Sequence, residues 1–167
     1  NISHCQDALN LLDQEVVKTL QQTSIKENEI VMDGMDVSLI AVNKKTKECH
    51  YAGAYRPLYL IRNKELKIYK ANRQSIGGSV NKEAPFVGEN IDLQSGDLLY
   101  MFTDGVTDQF GGEKNKKYKT ERLKQLLLNI CDQNMEDQSK VINQEFEKWK
   151  GDNEQIDDVL IMGIKIP

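Results

Sequence analysis

Cysteine is scarce in this chain and poorly placed for a scaffold. Cys5, Cys49 and Cys131 are three in number and widely separated among 167 residues. That excludes a disulfide framework and a zinc knuckle, which need paired or clustered thiols. The three read as reduced packing residues, and the domain as cytoplasmic. No segment approaches the run of about 20 apolar residues that spans a bilayer, and the first residues lack the basic-then-apolar layout of a signal peptide. Membrane attachment of a parent protein is expected to lie outside these residues. A basic excess is missing too: 22 Lys and Arg face 26 Asp and Glu, for a formal net charge of −4. No basic stripe is available to neutralise a phosphate backbone, so nucleic acid is excluded as a partner. The chain does have enough length for one core, and residues 1–167 are read as a single domain.

Two stretches stand out. In Ser95-Gly96-Asp97-Leu98-Leu99-Tyr100-Met101-Phe102-Thr103-Asp104-Gly105 an uninterrupted apolar run, expected as a strand covered on both faces, ends on a carboxylate and a glycine. Asp104-Gly105 fits a plain turn as well as a rigidly held functional carboxylate. Near the C-terminus, Asp157-Asp158 precede the apolar run 159–164. One strand ends in acid and the other begins with it, so antiparallel pairing brings Asp104 and Asp157 to one edge. Like charges so placed call for a cation between them or a proton on one. With no histidine or cysteine in either stretch, oxygen ligands suit magnesium or manganese rather than zinc or copper.

The remaining segments read as scaffold. Ser3 and Gln6 have capping-box spacing, and Ala8, Leu11, Leu12, Val16 and Leu20 recur at helical intervals as a core face. A polar loop is expected over 23–30. Asp33-Gly34-Met35-Asp36 reads as turn chemistry before a strand at 37–42, and Lys44-Lys45-Thr46-Lys47 as a hairpin turn into a strand at 48–52. A second hairpin turns at 62–65. Arg56, Arg62 and Arg73 each match a phosphate, and nothing in the sequence selects among them. Ser75-Ile76-Gly77-Gly78-Ser79 lacks the lysine of a nucleotide-binding loop and reads as a turn. Residues 86–93 form a strand with a bulge at Gly88. Residues 109–117 form a cationic insertion, either a contact for a phosphorylated protein or a solvated loop. Leu123, Leu126, Leu127, Ile130 and Cys131 share one helical face. A second helix buries Ile142, Phe146 and Trp149 and stops at Gly151. Antiparallel strands with a helix before them and two helices before the last strand define an α+β domain.

In their order and spacing, several of these pieces resemble the metal-dependent serine/threonine phosphatases of the protein phosphatase 2C type. The likeness is to the bacterial branch named after stage II sporulation protein E. It runs through Asp33-Gly34-Met35-Asp36, Tyr51-Ala52-Gly53-Ala54, Pro57-Leu58-Tyr59-Leu60, Ser75-Ile76-Gly77-Gly78, residues 96–105, Asp108-Gln109-Phe110-Gly111-Gly112 and Gln155-Ile156-Asp157-Asp158. Where that family commonly has a Gly-His-Xaa-Pro piece, this chain has Gly53-Ala54-Tyr55-Arg56-Pro57, which weakens inference about substrate contacts.

The resemblance implies a four-layer αββα sandwich of antiparallel sheets with a two-ion Mn2+ or Mg2+ site at one edge. Asp104 and Asp157 fall on metal ligands, Asp108 falls where an acid helps hold a third ion, and Asp158 stands beside the ligand. It implies hydrolysis of phosphoserine or phosphothreonine in a protein by metal-bound water, with an anti-sigma-factor antagonist as one substrate and sensory domains upstream. The family's first metal motif, an aspartate shortly before Gly-His-Gly, is absent. The expectation is therefore a C-terminal fragment of a longer sensor or signalling protein, lacking the domain's N-terminal part, inactive, and binding metal weakly or not at all. Two rivals remain. A haloacid-dehalogenase-type enzyme needs its nucleophilic aspartate where Phe102 stands; a non-catalytic interaction module with the same fold needs none of this chemistry.

Overall fold

The computed structural model describes residues 4–20, 33–78 and 84–167. In chain order the elements are α1 (Cys5–Thr19), β1 (Gly34–Met35), β2 (Val37–Val42), β3 (Glu48–Ala54), β4 (Leu58–Arg62), β5 (Glu65–Tyr69), β6 (Ile76–Gly77), β7 (Gly88–Asp92), β8 (Leu98–Phe102), α2 (Asp104–Asp108), β9 (Phe110–Gly111), β10 (Lys116–Lys117), α3 (Thr120–Ile130), α4 (Met135–Lys150) and β11 (Ile161–Lys165). They divide between two compact units. Ser3, Ser79 and the loop expected over 23–30 fall outside the described residues.

The first unit takes Asn1–Leu58 and Tyr69–Gln94. Its main sheet has the order β2-β3-β7, antiparallel throughout, with Val42 opposite Cys49 and Cys49 opposite Ile91. The β2–β3 turn forms where expected, because the Asn43 carboxamide oxygen accepts from the amides of Lys45 and Thr46, a side-chain substitute for a backbone turn. A short ribbon pairs β1 with β6. Cys5 and Leu9 of α1 pack with Ala52, Ala54, Ile76 and Phe86 in a buried core.

Two expectations for this unit need correction. The inward face of α1 is Cys5 and Leu9 with Val16 alongside, whereas Leu11, Leu12 and Leu20 are exposed. Polar side chains decide the roll of the helix. Asn10 exchanges hydrogen bonds with the backbone of Phe86, and the Asp13 carboxylate accepts from the amide of Gly77 at 2.7 Å. Gly88 makes no bulge but opens β7, opposite Ala52. A Cβ there would sit 2.4 Å from His50 Cε1 and 2.5 Å from Gln6 Oε1, so the glycine serves close approach.

The second unit takes Tyr59–Ile68 and Ser95–Pro167. Its sheet has the order β11-β8-β4-β5, and β8 is buried along almost its whole length, as its apolar run implies. The β4–β5 hairpin turns through Asn63 and Lys64, with φ of 51° and 63°, the left-handed pair that suits a two-residue hairpin. Arg62 forks onto Asp97 at 2.8 and 2.6 Å. Leu123 and Leu127 of α3 join Tyr59, Ile61, Leu98, Tyr100 and Phe102 in one core, and Phe146 of α4 is buried. The Tyr100 hydroxyl donates to Gln138 at 2.5 Å. α4 begins on Asn134, whose side chain accepts from the Asp137 amide, and ends at Gly151 with φ of 55°.

The insertion at 109–117 differs from a plain solvated loop. β9 and β10 pair as a ribbon with Lys116 opposite Gly111, tied to α4 because the Gly112 amide donates to the Trp149 carbonyl at 2.8 Å. Trp149 is a packing residue, as expected: Tyr118 meets its ring edge-on and the Arg122 guanidinium lies 4.2 Å from its centroid.

Candidate functional site

The acids of interest all belong to the second unit. β11 pairs antiparallel with β8, Ile161 opposite Phe102, so residues following β8 and residues preceding β11 share one end of the sheet. Thr103 joins them. Its amide donates to the Leu160 carbonyl, and its hydroxyl donates to the Asp158 carbonyl at 2.7 Å while accepting from the Leu160 amide at 3.0 Å. Gly105 allows the approach: a Cβ there would lie 2.4 Å from the Asp158 carbonyl oxygen and 3.3 Å from the Asp157 carbonyl carbon. The backbone thus brings Asp104 and Asp157 together at one edge.

Local chemistry sets each acid differently. Asp104 is the first residue of the short helix α2, directly after Thr103, whose side chain makes no capping bond, rather than part of a simple turn. It is half-buried, and Asp157 is exposed. One Asp157 carboxylate oxygen accepts from the Asp158 amide at 2.7 Å, and its carbonyl accepts from the Gln155 carboxamide. Asp108, at the other end of α2, is paired with Lys117 at 2.7 Å. Asp158 serves through its backbone carbonyl, as the Thr103 acceptor.

The arginines sort themselves. Arg56 is paired with Asp36 at 2.5 Å, and the Ser75 hydroxyl donates to the same carboxylate. Arg62 is committed to Asp97, which is 1% exposed. Arg73 is exposed. Asp36 therefore has a scaffold role, but the two turns expected from sequence are corrected: Gly34–Met35 and Ile76–Gly77 pair as the β1–β6 ribbon. A cavity of about 530 Å3 on the helix side of the sheet is lined by Tyr100, Leu123, Gln138, Ile142, Phe146 and Ile161 among others. Among the described residues no acid lines it, though Val106, Val159 and Leu160, sequence neighbours of the acids, do.

Aspartate oxygens are the donors that hard divalent cations take, and Asp104 and Asp157 fit as part of such a ligand set. Among the described residues, no group of three or more His, Cys, Asp or Glu is arranged to hold a metal ion. The pair supplies one edge of a site, not a complete cage. Sequence reading missed Thr103 and Gln109, whose partners lie 55 and 45 residues away. A hydroxyl directly before Asp104-Gly105 was the only signal for the first.

The fold is that of protein phosphatase 2C-like enzymes. The SiaA-PP2C domain of Pseudomonas aeruginosa aligns at a TM-score of 0.76 and 20% identity, over 97% of this chain and 69% of that one. The phosphatase domain of SpoIIE from Bacillus subtilis, described as Mn presoaked, aligns at 0.61 and 16% identity, over 99% and 75%. The PPM Ser-Thr phosphatase MsPP from Mycobacterium smegmatis, in complex with cacodylate, aligns at 0.58 and 13%, over 98% and 75%. No curated protein matches the chain. The profile of the stage II sporulation protein E (SpoIIE) family matches residues 3–167, and the chain belongs to that family. The α+β class with antiparallel sheets of the phosphatase 2C type, expected from sequence, is the one observed.

Proposed function

We propose that this chain is a metal-dependent serine/threonine protein phosphatase domain of a bacterial signalling protein, with Asp104 and Asp157 as metal ligands and Asp108 aiding a weaker third ion. The observation that carries the reading is the hydrogen-bonded meeting of residues 103–105 with 157–160, which sets two acids at one sheet edge. Mn2+ or Mg2+ bound there supplies a water of lowered pKa and offsets charge on the phosphoryl oxygens. The chain's own part is to fix the Asp104 and Asp157 carboxylates on a helix start and a tethered loop. Asp108 contributes only by exchanging its Lys117 partner. The substrate class is a phosphoserine or phosphothreonine protein; a phosphorylated anti-sigma-factor antagonist, with sensory domains upstream, follows from family analogy.

No Asp-Xaa-Xaa-Gly-His-Gly occurs in the 167 residues, so the bridging acid of a two-ion centre is not among them. Weak metal binding and little turnover are expected of this chain by itself. The test pairs Mn2+ paramagnetic broadening of backbone amide signals with a phosphoserine-peptide assay. Selective broadening at 104–105 and 157–158, lost in Asp157→Asn, supports the site; broadening elsewhere sinks it. Ordinary turnover would overturn the argument from the missing acid.

A second reading, an interaction module that keeps the fold without the chemistry, is favoured by the ion pair of Lys117 with Asp108, which already neutralises one of the three acids. The two part on Mn2+: the module shows no ion response at Asp104 or Asp157.

A further inference from the structure

The loop that carries Asp157 is held at both ends, and the second clamp lies one residue beyond Asp108. Gln109 is 0% exposed. Its carboxamide nitrogen donates to the Glu154 carbonyl at 2.9 Å and to the Phe110 carbonyl at 3.0 Å. Two carbonyl acceptors fix the amide orientation, since only the nitrogen donates. The other amide atom, Oε1, is buried with no hydrogen-bond partner among the described residues. A buried polar atom left unpaired costs stability, so Gln109 is a poor choice for packing alone. Its backbone is fixed as well: its carbonyl accepts from Trp149 Nε1 at 3.0 Å and from the Tyr118 amide at 2.9 Å. Gln109 thereby stands on a base built from α4 and the β9–β10 ribbon.

Glu154 and Asp158 bracket Asp157. Gln109 holds the first through its carbonyl and Thr103 the second. Thr103 immediately precedes Asp104, and Gln109 immediately follows Asp108. Both clamps therefore run from the α2 segment to the 154–158 loop. We infer that Gln109 is a positioning residue that sets the Asp157 loop against Asp104 and Asp108, so that cation affinity at this edge depends on a side chain that is not itself a ligand. The consequence for metal rests on the phosphatase reading above; the positioning itself does not.

The test uses the full chain, with Gln109→Met, which keeps side-chain length and loses both donors, and Gln109→Asn, which keeps an amide of shorter reach. Hydrogen exchange is followed at the Asp158 amide, bonded to the Asp157 carboxylate, at the Leu160 amide, bonded to the Thr103 hydroxyl, and at Leu127 in α3 as an internal standard. Exchange at Asp158 and Leu160 is expected to rise about tenfold in both variants, the scale of one lost buried hydrogen bond, with Leu127 unchanged. The Mn2+ concentration that half-broadens the 104 and 157 signals is expected to rise about tenfold, the usual cost of losing a residue that orients a ligand. Uniform acceleration at all three amides, or none at any, overturns the inference. If the unaltered chain shows no Mn2+ response at 104 and 157, the phosphatase reading falls, and the exchange pattern still decides the role of Gln109.

Discussion

Asp97 and Arg62 show how little a residue's type says about its task until its partner is known. In sequence Asp97 belongs to a Ser-Gly-Asp turn and Arg62 is one of three candidate phosphate binders. In the fold the two meet at 2.8 and 2.6 Å, with the carboxylate almost fully buried. A guanidinium forked onto a carboxylate satisfies both oxygens, but its main effect is to make removal of either partner expensive. Arg62→Leu leaves a buried charge behind and is expected to cost about 3–5 kcal/mol, read as a lower urea midpoint. Arg62→Leu combined with Asp97→Asn is expected to recover part of that loss, since the uncompensated charge is gone. Equal losses in the single and double variants would show that packing of the arginine stem carries the effect. The sequence concealed this pair because the two residues are 35 positions apart and only strand order brings them together.

At the scale of an element, α1 is legible as a helix but not in its roll. Leu11 and Leu12 share helical spacing with Ala8 and Val16, yet Leu11 is 46% exposed. Asn10 and Asp13, polar side chains that a hydrophobic pattern discounts, fix the inward face by bonding Phe86 and Gly77. The start of α1 is fixed from outside the helix too. The Cys5 amide, a first-turn donor without an intrahelical acceptor, donates to His50 Nδ1 at 3.1 Å. Burial holds the His50 pKa below its ordinary value; the nearby His4 lowers it further, and Asp7 opposes. A lowered histidine pKa means the unfolded chain takes up a proton first. The stability from neutral His50 is therefore fully present above about pH 6.5 and is lost as pH falls from there through the folded-state pKa. Protonation also turns Nδ1 into a donor facing the helix N-terminus, where positive charge is disfavoured. Urea midpoints at successive pH values are expected to drop over that window, and His50→Gln to flatten this part of the profile. A profile unchanged by His50→Gln would exclude the histidine as the cause.

For the whole molecule, the sequence carried the order of the longer strands and helices, though not the short β1, β6, α2, β9 and β10, and the edge where Asp104 and Asp157 meet, because apolar runs ending on acids survive any detail of packing. It could not carry clamps such as Thr103 to Asp158 or Gln109 to Glu154, which join residues 55 and 45 positions apart. Nor could it show Lys117 occupying Asp108. The convergence makes opposite demands with and without metal. Without a divalent ion, two carboxylates at one edge repel, and Asp157→Asn is expected to leave stability unchanged or raise it by less than about 1 kcal/mol, the scale of an exposed charge pair. With Mn2+, an ion that binds the folded chain stabilises it as the logarithm of its concentration, reaching about 2.7 kcal/mol at a hundredfold excess over Kd. The carboxamide that Asp157→Asn introduces offers a single, uncharged oxygen, so the variant's response to the ion is expected to be small. Plotted against Mn2+, the urea midpoints of the two proteins are therefore expected to diverge, the variant level or slightly ahead at zero ion and behind at high ion. Parallel lines would mean that Asp157 holds no cation, and the edge would then be a structural meeting of two loops with no ligand of its own.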